Sequence, residues 1–230
     1  MKINYKQHEE RTGLPLIKAG IDILEIGRLL SATDLLTLSS FNDAIDWKMV
    51  SSKAGIQDSE IIFMVGDMDP SNVVVAVRKS DTGQAWHYLD AESLTSTFCS
   101  PLSSSIHTVL APAFVPGFVG TDWDDIKNGL RRGDKGLLAL VQGEPESAMR
   151  EARDLVSARL NEIGIKESVK AVLASLFLPE CKFNLASYRQ TASLIKEMCI
   201  DDQDVLISVP IITDQNPMVA LLAVYGSPVQ

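Results

Sequence analysis

From Val169 to Leu178 the chain is apolar at every position except Lys170 and Ser175. An amphipathic helix would place polar residues every third or fourth position, and a half-buried strand would alternate. This run does neither, and it reads as a central strand covered on both faces and stopped by Pro179. Such a strand needs layers on each side, which points to an α/β plan. Helical patterns flank it. Before it, Pro145 suits a first turn, and Ala148, Ala152, Leu155, Val156 and Leu160 mark one face of a helix. After it, Asn184 is a candidate N-cap for a helix with Leu185, Tyr188, Ala192, Ile195 and Met198/Cys199 inward.

The same reading extends over Thr121 to Gly226. Thr121 followed by Asp124 forms a capping-box-like start, with Asp122, Asp124 and Asp125 in the first turn. Ile126 and Leu130 give that helix its stripe, and Gly133 ends it. Leu137 to Val141 is a short buried strand closed by Gly143. Strand–helix–strand crossovers make their strands parallel. Val205 to Ile212 and Met218 to Tyr225, flanking Thr213 to Pro217, read as a hairpin that adds one antiparallel strand and makes the sheet mixed.

The N-terminal half is less regular. Leu14 to Leu38 has mixed apolar spacing, while Ile61 to Val65 and Val73 to Val77 read as strands. Residues 80–118 are rich in Ser, Thr and Pro, and Pro101, Pro112 and Pro116 argue against a long helix there.

Composition narrows the function. A net charge of −9 repels phosphate backbones, and Arg131-Arg132 is too short a basic run to reverse that locally, so nucleic acid is not expected as a partner. The polar start of the chain is not expected to act as a signal peptide, and no apolar run nears the ~20 residues of a membrane span. A cytoplasmic location and no membrane partner are therefore expected. Cys99, Cys181 and Cys199 have no metal-ligand spacing and are expected to be small buried hydrophobes.

Thr121-Asp122-Trp123-Asp124-Asp125-Ile126, the acidic helix start from Gly143 to Ala152, and the order of elements to Leu221 through Gly226 resemble the C-terminal domain of the FtsZ/tubulin family. The likeness runs from Ile106 onward. Leu16 to Gly20 and Asp58 to Met68 resemble, more weakly, segments of that family's GTP-binding domain. The resemblance implies an FtsZ/tubulin-like α/β fold. A reduced, Rossmann-like N-terminal domain (1–105) would precede a C-terminal mixed-sheet domain with helices (106–230).

It also implies where the chain departs from the family. The family wraps nucleotide in glycine-rich loops; Lys6-Gln7-His8-Glu9-Glu10-Arg11 and Asp67-Met68-Asp69-Pro70-Ser71-Asn72 stand in those places. Side chains there block close approach to phosphate, and the acids repel it. Loss of GTP binding is expected, with no cofactor and no metal.

Asp122 and Asp125 match the family's two loop acids, which act on the GTP of a neighbouring subunit, and they are the weak catalytic candidates. Their plainer role is to complement the helix dipole, at about 0.3–1 kcal/mol each. His8, His87 and His107 lack acid or Cys partners at ligand spacing and are expected in solvent or core. Ser103-Ser104-Ser105 reads as a loop tract and Asp67/Asp69 as a solvated turn. Trp86 to Tyr88 and Phe114 to Phe118 are aromatic patches, read as core before interface. The expected function is an interaction, capping or regulatory subunit whose protein partner is an FtsZ-like polymer or a second copy of itself. The alternatives are an active GTPase with atypical phosphate loops and a stand-alone scaffold or accessory protein.

Overall fold

A computed structural model describes residues 17–23, 45–50, 59–65, 72–79, 85–94, 100–165, 169–198, 204–212 and 216–226. Within them ten strands form one sheet: β1 (Ile17–Ile23), β2 (Ile45–Val50), β3 (Ile61–Val65), β4 (Asn72–Arg78), β5 (Trp86–Ser93), β6 (Gly117–Val119), β7 (Lys135–Gln142), β8 (Val169–Pro179), β9 (Asp204–Ile212) and β10 (Met218–Tyr225). Their order is β2-β1-β3-β4-β5-β7-β10-β8-β9-β6. β4, β10 and β6 run against the rest, so the fold is α/β with a mixed sheet.

The described helices are α1 (Pro101–Phe114), α2 (Trp123–Leu130), α3 (Pro145–Glu162) and α4 (Leu185–Lys196). Two apolar layers result. Leu102, Ile106, Val109 and Leu110 of α1, with Ile126 and Leu130 of α2, pack on Phe63, Val75, Leu173 and Phe177. On the other layer Ala148, Met149, Ala152, Val156 and Leu160 of α3 meet Leu137, Val172 and Val219.

The expected helix over 145–162 and the central strand at 169 appear as read, and Asn184 does cap α4, accepting from the Ala186 amide at 2.8 Å. Other readings change. The last two strands are not paired as a hairpin. β10 lies between β7 and β8 and is antiparallel to both, while β9 pairs with β8. Every position of β10 is buried, whereas β9 is only partly so. The more apolar strand takes the interior slot, and proximity in sequence does not decide the pairing.

The prolines do not prevent a helix in 80–118. Pro101 occupies the first helical turn, where its missing N–H costs nothing, and Pro112 falls in the last turn. Ser103 to Ser105 are buried within α1, not in a loop. The N-cap of α2 is Asp122, and no side chain closes a capping bond there. Thr213 to Gln215, residues 6–11 and residues 67–71 lie outside the described residues, as do Cys99 and Cys199.

The boundary expected at 105/106 falls inside α1, and β5 pairs in parallel with β7 from Asp90↔Lys135 to Ser93↔Leu138. Side chains add ties across the same junction. His87 Nε2–H donates to the Gly133 carbonyl at 2.7 Å, and Lys135 meets Asp90 at 2.6 Å. No described helix is long and apolar enough to cross a membrane.

Candidate functional site

α2 forms because Trp123, Ile126 and Leu130 recur on one side, and their burial holds it against β8 and β9. Its other side faces solvent and carries three acids at the N-terminal end. Asp122, Asp124 and Asp125 are all exposed. Asp124 is engaged: its Oδ1 lies 2.7 Å from Lys127 Nζ, and that hydrogen bond and charge hold its carboxyl below the usual carboxylate range. Lys127 itself is buried, its side chain 7% exposed, and it also stands 4.0 Å from Glu60 Oε2. Glu60 accepts from Trp123 Nε1 at 3.0 Å, which locks the start of α2 to the start of β3.

Asp122 and Asp125, the two candidates named from sequence, therefore share the end of one helix and point into solvent. The first turn of α2 places them together, yet no cation, histidine or nucleophile pairs with either among the described residues. Among those residues no three His, Cys, Asp or Glu side chains converge so as to hold a metal ion.

A feature that sequence did not isolate lies just before them. Phe118, 40% exposed on the three-residue edge strand β6, stacks on Phe183 with ring centroids 4.2 Å apart and planes 16° from parallel. Leu185, expected on the inner face of α4, is 53% exposed; Ile195 is buried there as expected, joined by Thr191 and Leu194, and Tyr188 and Met198 pack partly buried on the same layer. Cys181, expected to be buried, is exposed in a 3-10 turn, Glu180–Lys182, that has no buried residue. The aromatic patch 114–118 thus divides: Phe114 is core, 5.5 Å from Trp123, and Phe118 is surface. The 86–88 patch divides likewise, with His87 buried and Tyr88 49% exposed. The signal for Phe118 was its place beside glycines on a short strand, but its stacking partner is remote in sequence.

The arrangement offers an apolar centre of stacked rings and, four residues along, unpaired carboxylates. That combination suits recognition of a surface with basic groups around an apolar contact. It does not assemble a general base with a nucleophile.

No family model matches the chain, and no curated protein matches it. Solved structures that match include a tryptophan-to-tyrosine mutant of FtsZ from M. jannaschii, 15% identical with a TM-score of 0.41, covering 55% of this chain and 37% of that one. An empty FtsZ dimer from M. jannaschii matches at 15% identity and a TM-score of 0.39, covering 53% of this chain and 35% of that one. The chain spans little more than a third of the length of these proteins. A superposition of that depth bears on neither activity nor partner, and the FtsZ/tubulin expectation keeps the sequence motifs as its footing.

Proposed function

We propose that this chain is a protein-binding subunit that does not hydrolyse nucleotide, and that it docks its partner through the surface carrying Asp122, Asp125 and Phe118. The observation that carries the reading is the exposure of both carboxylates at one helix end, close in sequence to a solvent-facing aromatic stack. Large exposed apolar groups cost solubility and are kept where they are covered by a partner. The partner proposed is an FtsZ-like polymer, on the strength of the sequence resemblance over Thr121–Ile126 and Gly143–Ala152. A subunit that engages a filament end with one surface and cannot propagate the contact would cap or shorten it. Loss of GTP binding rests on the acids and proline in residues 6–11 and 67–72.

Light scattering and pelleting of an FtsZ-like polymer, with GTP and increasing amounts of this chain, test the proposal. Polymer mass should fall, and Asp122→Asn with Asp125→Asn should weaken the effect at least tenfold. No effect at molar excess would favour a scaffold without a filament role. A parallel assay of phosphate release from GTP should show none above the buffer control, and steady release by this chain would overturn the non-hydrolysing reading in favour of an active GTPase.

A further inference from the structure

Arg131 and Arg132 follow the C-terminal end of α2, and Lys170 stands one residue into β8. With Asn128 they line an open cleft of about 590 Å3, on a chain whose net charge is −9. Arg131 is half-buried and held on two sides: one terminal nitrogen donates to Asn128 Oδ1 at 3.2 Å, and the other donates to the Arg78 carbonyl. Its Nε–H is buried and finds no acceptor among the described residues. That N–H is closed off, so the donors the cleft offers are the remaining terminal N–H groups of Arg131 and Arg132 and the Lys170 ammonium. Arg132 gives its Nε–H to Asp204 Oδ2 at 2.5 Å. Lys170 is exposed. Among the described residues Asp204 thus offsets Arg132 and Asp124 acts in part on Arg131, which leaves the lining net positive.

Cations after a helix end complement its dipole, which accounts for Arg131 and Arg132. It does not account for Lys170, which comes from a different element.

We infer that this cleft binds a phosphate-bearing anion of small-molecule size. Guanidinium and ammonium groups together are the donors that phosphate oxygens accept from, and ligand clefts commonly enclose roughly 300–1,000 Å3. Phosphate in this chemistry has two sources, a soluble phosphate ester or a lipid headgroup. The site lies at the opposite end of α2 from Asp122 and stands independently of the docking reading above.

Isothermal titration with pyrophosphate, against sodium chloride at matched ionic strength, should give saturable binding to the whole chain. Arg132→Gln combined with Lys170→Gln should weaken it at least tenfold; both side chains are exposed, and circular dichroism checks that the fold is kept. Lys170→Gln alone serves if the double variant does not fold. Sedimentation with phosphatidylcholine vesicles, with and without phosphatidic acid, separates the sources. Binding to the acidic vesicles that pyrophosphate displaces identifies a headgroup, and pyrophosphate binding without vesicle binding identifies a soluble ester. The inference is overturned if neither probe binds beyond the chloride control, or if the variants bind as the wild type does.

Discussion

His107 lies inside α1 with its ring edge-on to Phe177, the centroids 6.3 Å apart. Its Nδ1 stands 2.8 Å from the Ser103 carbonyl, and a carbonyl can only accept, so Nδ1 carries the proton of a neutral ring. Burial lowers the pKa to about 4, and the bond to Ser103 opposes that only in part. The unfolded chain binds this proton near pH 6.5 and the folded chain does not until about 4. Between those values the unfolded state holds more protons, so stability rises with pH across the window and is lost as pH falls through it. The loss is on the order of 3 kcal/mol, by the usual conversion of a pKa difference to free energy. Urea unfolding at pH 7 and pH 4.5 should show the midpoint falling with acid, and a His107→Leu variant should flatten this part of the dependence. An equal fall in both proteins would assign the acid sensitivity elsewhere. Asp124 adds a smaller effect of the same sign, since its lowered pKa means stability present above the unfolded value and lost as pH falls.

At the scale of elements, the half-buried Glu60 ties α2 to β3 by acting on two groups. Glu60 takes the indole N–H of Trp123 and faces the buried ammonium of Lys127. Trp123→Phe keeps a ring against Phe114 but removes the donor and part of the buried volume. It should cost about 1–3 kcal/mol, the sum of a lost hydrogen bond and a small cavity, read as a shift in the urea midpoint at unchanged slope. The sequence made α2 legible through Ile126 and Leu130, and it made α3 and β8 legible through strong periodicity. It hid α1, because a helix with proline in its first and last turns and a serine tract between carries an irregular pattern. It hid the position of β10, because pairing depends on which strand is the more apolar and not on which is nearest along the chain. Asp122 and Asp125 could be named from residue type and spacing. The Phe118–Phe183 stack and the Arg131–Lys170 cleft could not, since each joins residues from separate elements whose meeting is set by the sheet order.

At the scale of the whole molecule, the expected division at 105/106 meets a sheet that continues through it. Leu102 and Ile106 of α1 belong to one apolar cluster with Ile61, Phe63, Val73 and Leu89 on one side and Leu138, Leu173 and Phe177 on the other. β7 borrows its outer neighbour from β5, and Arg159 of α3 reaches Glu92 at 3.1 Å. A fragment of residues 106–230 would lose the Ser100 cap and first turn of α1, and would expose both the free edge of β7 and the apolar side of α1 that faces β3, β4 and β5. An unpaired apolar edge beside an uncovered layer invites self-association. The intact chain should melt in one cooperative transition over its described core, and the fragment should be broadened in its melt and prone to aggregate. Thermal unfolding by circular dichroism, with sedimentation velocity on the same samples, reads both properties. A monomeric fragment with a sharp transition near that of the full chain would mean that the two halves fold separately and that the shared sheet only docks them.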